Sequence, residues 1–328
     1  MGLITISKNA LVTGCAGFIG SNLCEELLKY DWNVVGIDCF TDYYSKKMKE
    51  KNLLKLNGHS NFLLLQEDLI DIPLNDYIKG IDVVFHQAGQ PGVRGSWGEG
   101  FAKYVINNIS ATQRLLEAVK GSNIKKFVYA SSSSIYGNTN TLPMSEEALP
   151  KPFSPYGLTK LAGENLCSLY HENYDVPAVC LRYFTVYGPR QRPDMAFHYF
   201  ITSILSENPI KIFGDGTQMR DFTYVDDVVK ANLLSANSDL SGEIINVGGG
   251  NIVKLIDVIS IIESLIGKKA KLEFIEKQKG DVKDTYADNK KLIKLLKFSP
   301  QFDLMEGLKK QIEYIQRESE SYSDVYRR

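Results

Sequence analysis

The chain has 328 residues, 44% of them hydrophobic, with 38 Lys and Arg against 39 Asp and Glu. That length supports one large core or two smaller ones, and a net charge of −1 gives no electrostatic reason to expect nucleic acid or an anionic membrane as partner. No apolar run approaches the about 20 residues that cross a membrane, and the first residues lack the charged and apolar regions of a signal peptide. The five cysteines, Cys15, Cys24, Cys39, Cys167 and Cys180, show no CxxC spacing. An odd, scattered set fits a reducing cytoplasm and reads as five small buried hydrophobes, and no metal site is implied.

In chain order, the predicted strand 9–14 is apolar (Ala10-Leu11-Val12) and leads into Thr13-Gly14-Cys15-Ala16-Gly17-Phe18-Ile19-Gly20. A helix-like stretch, Ser21 to Leu28, follows directly. The glycines let the backbone turn tightly and approach a pyrophosphate, which then rests on the positive end of the helix. The next strand, 33–38, ends on Asp38, eighteen residues past Gly20. A carboxylate there suits the two ribose hydroxyls of NAD and repels the 2′-phosphate of NADP. Strand, glycine triplet, helix, strand and acid in that order predict bound NAD.

Strand candidates 62–67, 82–87, 125–131 and 177–184 follow, with helical periodicity over 101–120 and 156–174. The alternation predicts an α/β fold, a Rossmann-type doubly wound parallel sheet with helices on both faces. Ligands of such sheets gather at the carboxyl ends of the strands. Gly14, Asp38, Asp68, Ala88-Gly89, Ser131 to Ser134 and Thr185 all fall there. Beyond residue 185, Gly188-Pro189, Arg192-Pro193 and Gly214-Asp215-Gly216 break the pattern. The expected division is a dinucleotide-binding domain over 1–184, to which the chain returns at about 225–250 with a strand near Ile244 to Val247, and a smaller C-terminal α/β substrate domain over 185–224 and 251–328. The ending, Arg317 to Arg328, is polar and reads as a fraying tail.

Tyr156 and Lys160 lie i, i+4, on one face of the predicted helix 156–174. A phenol near pKa 10 is a poor base at neutral pH. An adjacent ammonium and a nicotinamide cation both favour its phenolate, and Lys160 can also hydrogen-bond the nicotinamide ribose. Serines 131–134 stand about 25 residues earlier, where a proton-transferring pair would need a hydroxyl partner.

The combination resembles the extended short-chain dehydrogenase/reductase family of nucleotide-sugar epimerases and dehydratases, nearly end to end. It is carried by Ser131-Ser132-Ser133-Ser134-Ile135-Tyr136-Gly137, by Arg182-Tyr183-Phe184-Thr185-Val186-Tyr187-Gly188-Pro189-Arg190-Gln191-Arg192, and by Arg220-Asp221-Phe222-Thr223-Tyr224-Val225-Asp226-Asp227. The resemblance implies catalytic roles for Ser132, Tyr156 and Lys160, with Ser132 and Tyr156 on the 4-hydroxyl of a sugar. It places Asp68 and Leu69 at the adenine of NAD, and Gly14, Gly17, Phe18, Ile19, Gly20, Asp38, Gln87, Ala88, Gly89, Asn108 and Tyr183 with the rest of the cofactor. A UDP-sugar is the implied partner in the smaller domain, its diphosphate held by Arg220, with Arg94 and Asp281 also at the substrate. A homodimer is implied through helices 101–120 and 156–174. Val105, Ile109, Leu115, Leu116 and Val119 on the first and Leu161, Leu166 and Leu169 on the second either meet a second copy or face their own sheet.

Three stretches resemble the branch of that family that epimerises UDP-glucuronate at C4: 92–97, 108–116 and 190–197. The hydroxyls of Ser132, Ser133, Ser134 and Thr185 can ring a carboxylate at C5 of the sugar, each charged hydrogen bond contributing roughly 1.5–3 kcal/mol; alternatively Ser133 and Ser134 only shape a turn. Arg192 can add a cationic contact or bind the nucleotide instead. The expected reaction removes the 4-hydroxyl proton with Tyr156 while C4 passes hydride to NAD, then returns both to the other face of the rotated 4-keto sugar. Sister decarboxylases carry a glutamate where this chain has Ser134, and the lack of an acid there argues against decarboxylation and dehydration. Gln278 stands where relatives acting on UDP-glucose often have an arginine. Thr285, at the position that limits the C2 substituent, is small and leaves N-acetylated sugars open as substrates. A noncatalytic NAD-sensing protein and a reductase consuming free NAD(P)H are the alternatives from other classes.

Overall fold

The computed structural model describes residues 8–325, the last of them, 319–325, by backbone alone. The first half alternates strands with helices: β1 (Asn9–Thr13), α1 (Phe18–Lys29), β2 (Asn33–Ile37), α2 (Lys46–Asn52), β3 (Phe62–Leu65), α3 (Leu74–Ile78) and β4 (Val83–His86). Then come α4 (Phe101–Tyr104), a π-helical segment (Val105–Ser110), α5 (Ala111–Val119), β5 (Lys126–Ser132), α6 (Pro155–Tyr174) and β6 (Ala178–Tyr183). Each strand found in this half lies within about two residues of its predicted bounds. The helix predicted over 101–120 is one run broken by a π turn, which carries buried Asn108; such turns recur at functional sites.

The remainder is β7 (Thr185–Tyr187), α7 (Ala196–Leu205), β8 (Pro209–Phe213), β9 (Met219–Tyr224), α8 (Val225–Ala236), β10 (Glu243–Val247), β11 (Asn251–Lys254), α9 (Leu255–Ile266), β12 (Lys271–Ile275), α10 (Lys290–Leu296) and α11 (Leu304–Val325). Seven strands form one sheet in the order β10-β6-β5-β4-β1-β2-β3, every pair parallel. β7, β9 and β11 make a three-stranded sheet, and β8 pairs with β12. No described helix is long and apolar enough to cross a membrane.

Alternate residues of the main strands feed opposite faces. On one face Val12, Phe85, Val128 and Leu181 join Leu23 and Leu27 of α1 and Val228 of α8. The same apolar body continues into the smaller lobe through Phe197, Ile212, Ile259 and Leu308. On the other face Leu11, Val84, Phe127 and Cys180 join α5 and Cys167 of α6.

For α5 the second of the two open alternatives holds, and two expectations change. Leu115, Leu116 and Val119 are buried against their own sheet, because α5 carries its apolar stripe toward β4 and β5. Ile106, Leu158, Leu169 and Tyr174 are the large hydrophobic side chains left exposed on this pair of helices. The ending is helical rather than frayed as far as Val325, because Leu304, Leu308, Ile312 and Ile315 form a spaced apolar face buried in the core; a Lys51–Glu318 ion pair of 2.7 Å adds a tie to α2. Residues 326–328 of that ending lie outside the described residues. Cys39 is exposed while the other four cysteines are buried, since it follows the last residue of the carboxyl-end turn of β2.

Leu116→Ala removes a fully buried side chain and is expected to cost about 2–5 kcal/mol in urea unfolding; a cost below about 0.5 kcal/mol would place the α5 stripe outside the core.

Candidate active site

β1 has β2 on one side and β4 on the other, so the chain reverses direction of travel across the sheet at β1. Such a switch opens a crevice beyond the carboxyl ends of the strands. A cleft of about 1180 Å³ lies there, lined by Gly14, Gly17, Phe18, Ile19, Gly20, Asp38, Asp68, Leu69, Gln87, Ala88, Gly89, Tyr156, Lys160, Tyr183 and Arg192 among others.

The turn from β1 into α1 forms one wall. Gly14 takes φ +69°, and a Cβ on Gly20 would lie 2.1 Å from the Gly14 carbonyl oxygen, so the turn closes only on glycine. No side chain caps α1, whose N-cap is Gly17. Its first N–H groups are the orphans every helix start leaves, and they suit a pyrophosphate. Asp38 accepts from the backbone N–H of Ala16 at 3.1 Å and of Phe40 at 2.8 Å. Lys49 stands 3.9 Å from the same carboxylate, donates to Thr41 and lies over the Tyr44 ring. This tight turn, the uncapped helix start and the carboxylate fit a dinucleotide.

Farther along, Arg114 holds the Leu69 and Ile72 carbonyls and so shapes the loop after β3. Gln87 donates to Asn232, and Tyr183 is hydrogen-bonded to both. Asn108 sits behind the wall: it accepts from the Gln90 N–H at 2.6 Å and donates to the Gln90 carbonyl and to Thr159. Its neighbour Asn107 lines the cleft in its place. At the base, His86 is bonded by Thr13 and Thr112; burial, with the Lys160 charge adding, lowers its pKa to about 3, so the ring is neutral.

α6 delivers the tyrosine and lysine. Ser154 caps it by accepting the Gly157 N–H, with Pro155 in the first turn. A Cβ on Gly157 would meet the Ser134 carbonyl at 2.5 Å, so the helix start presses on the serine loop. Tyr156 packs edge-on against Tyr104, centroids 6.3 Å apart. Burial pushes its phenol above the ordinary value; a hydrogen bond with Ser132 and the Arg192 charge pull the other way. The Lys160 ammonium donates to the Ala130 carbonyl at 2.8 Å. Burial lowers its pKa to about 8, against the pull of Glu164 and Cys167.

Strand register pairs Ser131 and Ser132 with Arg182 and Tyr183; Thr185 begins β7, which pairs with β9 in the smaller sheet, and of these hydroxyl residues Ser131 lines the cleft. Ser132 accepts from the Ser134 N–H in the short 3₁₀ turn Ser133–Ile135, where Ser133 and Ser134 are half-buried. Arg192 makes a bidentate pair with Asp194, both contacts 3.0 Å. Arg94 and Asp281 are ion-paired with each other at 3.0 Å, with the guanidinium 3.8 Å from the Phe213 ring centre. The Arg220 guanidinium donates to the carbonyls of Met219, Val282 and Lys283, holding the 282–283 segment. Sequence reasoning missed Lys49, Tyr43, Tyr44, Gln90 and Asn107 at the cleft, and Glu164 and Arg182 beside it. Only Lys49, in a basic helix soon after Asp38, gave a local sign.

A model of the NAD dependent epimerase/dehydratase family matches residues 10–248. The chain belongs to this family. It is similar to the UDP-glucuronate 4-epimerase of Thermodesulfobacterium geofontis, 43% identical over 93% of this chain and 95% of that one. It is also similar to an uncharacterized UDP-glucose epimerase of Bacillus subtilis, 47% identical over 93% and 97%. Among solved structures it is similar to UDP-glucuronic acid 4-epimerase from Bacillus cereus in complex with UDP-glucuronic acid and NAD, with a TM-score of 0.92 and 47% identity over 94% of this chain and 99% of that chain. The family's dependence on NAD agrees with the fit of the Gly14–Gly20 turn and Asp38.

Gly20→Ala forces a methyl group into the Gly14 carbonyl. The purified variant is expected to carry no NAD, measured as nucleotide released on denaturation; release at the parent level would contradict this reading of the turn.

Proposed function

We propose that the chain is an NAD-dependent UDP-glucuronate 4-epimerase that interconverts UDP-glucuronate and UDP-galacturonate. The observation that carries this reading is the single cleft that gathers Tyr156, Lys160 and Ser131 with Gly14, Gly20 and Asp38. Residues 1–184, with the return at about 225–250, would hold NAD, and 185–224 with 251–328 the UDP-sugar. NAD supplies a hydride acceptor that is regenerated within each turnover.

Tyr156, supported by Ser132, takes the proton from the 4-hydroxyl as C4 gives up its hydride. Lys160 holds a positive charge nearby and fixes the ribose side of the cleft. When the 4-keto sugar has turned, Tyr156 returns the proton as hydride comes back to the opposite face. The intermediate is a β-keto acid, which loses CO₂ when its C5–carboxylate bond stands perpendicular to the carbonyl plane. Ser133, Ser134 and Thr185, with hydroxyl donors and no acid among them, hold the carboxylate out of that alignment. Arg192 leaves Asp194 for the substrate, and Arg220, Arg94 and Asp281 enclose the nucleotide end. The pairing of a second copy rests on the exposed Leu158 and Leu169 of α6.

Proton NMR of the protein with UDP-glucuronate and no added NAD is expected to show UDP-galacturonate and no UDP-pentose. A UDP-pentose, or conversion of UDP-glucose or UDP-N-acetylglucosamine alone, would overturn the uronate reading.

Thr185→Val removes one donor to the carboxylate. It is expected to lower kcat/KM for UDP-glucuronate by about 10–100-fold, the equivalent of roughly 1.5–3 kcal/mol. An equal loss on UDP-glucose would mean that Thr185 does not touch the carboxylate.

A further inference from the structure

Glu164 lies one helical turn beyond Lys160 on α6, so Tyr156, Lys160 and Glu164 occupy one face. Its side chain is 1% exposed, a depth at which a carboxylate persists only when well paired. Arg182 of β6 grips it in a fork, Nε to Oε1 and Nη2 to Oε2, each 2.9 Å. The hydroxyl of Ser131 donates to the same Oε1. The third donor of Arg182 reaches the Tyr136 hydroxyl at 2.8 Å. That hydroxyl donates to Asn246 of β10 at 2.7 Å, and Asn246 donates to the Met144 carbonyl at 2.9 Å. Every polar atom of this chain of contacts has a partner, and it runs from the catalytic helix through three neighbouring strands. The proposed chemistry of Tyr156 and Lys160 makes no use of it.

We propose that Glu164 is a positioning residue for Lys160 and Ser132: its carboxylate, locked by Arg182, supplies the negative charge that keeps the buried Lys160 ammonium protonated, and fixes Ser131 so that the next residue meets Tyr156. This rests on the reading that Tyr156 and Lys160 carry the reaction. Lys160 is surrounded by few other charges. From β5 it faces the Tyr129 ring at 5.1 Å and the Ala130 carbonyl, from β4 the neutral His86, and from its own helix Tyr156, Cys167 and Glu164. Glu164 is the anion in that set. Arg182, behind it, is held above its ordinary pKa by Glu164 and Tyr136 despite burial, so it stays charged throughout.

The sign of the effect follows. Burial lowers the pKa of Lys160 and Glu164 raises it. Removing the carboxylate lowers it further, and the ammonium is lost at a lower pH. Activity that requires the ammonium then has its alkaline limb displaced downward.

The test is the pH profile of kcat for UDP-glucuronate epimerisation by the NAD-bearing protein, with the Lys160 side-chain ¹⁵N titration as a readout independent of turnover. Glu164→Gln keeps the shape and the Ser131 contact. It is expected to move the alkaline limb, and the titration, down by about one pH unit or more. A residue that only held the fold together would reduce kcat equally at every pH. An unmoved limb and titration overturn the proposal. If Glu164→Gln does not fold, Glu164→Gln/Arg182→Met, which removes the buried guanidinium together with its carboxylate partner, is measured against the same two outcomes. Tyr156→Phe separates the failures. If it keeps activity, the reading of Tyr156 falls and the proposal with it; if it is inactive while the Glu164 variants leave the limb in place, Glu164 alone is overturned.

Discussion

The contact on which the site depends is a buried ammonium on a strand-end carbonyl, Lys160 on Ala130. A lysine charge removed from water is costly, and here it is offset by one carbonyl dipole and by a carboxylate one turn away. The result is a cation that titrates at about 8, close to the pH at which proton transfer must work. The same contact ties α6 to β5 and so sets Tyr156 beside Ser132. Moving either element by a turn would separate the phenol from its hydroxyl partner.

Around that contact the fold supplies complementary walls. The strand order gives the crevice, and the glycine turn and uncapped α1 give it a surface for phosphate. Asp38, held by two backbone N–H groups and faced by Lys49, marks the end suited to a ribose. The smaller lobe is not an appendage, because the apolar body on the α1 face of the sheet runs into it. Backbone hydrogen bonds of Met144 with Tyr286 and Asp288 cross the same boundary. Arg94, paired with Asp281 and stacked on Phe213, bridges it again at the surface. These ties join the smaller lobe to the part of the fold that carries Tyr156.

Much of this was legible because it is local. The order Gly14, Gly17, Gly20, Asp38 encodes a backbone path, and Tyr156 with Lys160 encodes a helix face; neither needs knowledge of distant chain. The strands were readable from apolar runs bounded by turns. What escaped depends on pairing across the fold. Nothing near Glu164 announces that Arg182 will meet it from β6. The polar composition after Arg317 hid a helix whose apolar residues are widely spaced. The stripe on α5 is amphipathic in either reading, and only the three-dimensional arrangement shows that Leu115, Leu116 and Val119 face inward. The Tyr156 phenol was expected to be eased toward ionisation by Lys160, whereas in the folded chain burial outweighs the help from Ser132 and Arg192.

In the proposed reaction hydride leaves C4 and returns to C4 of the same molecule. It is tested most directly with UDP-glucuronate deuterated at C4, mixed with undeuterated UDP-glucuronate carrying ¹³C, and incubated in ordinary water without added cofactor. The account predicts UDP-galacturonate that keeps deuterium at C4, with none in the ¹³C-labelled molecules and none lost to solvent. Deuterium released to water, or passed from one sugar to another, would contradict it.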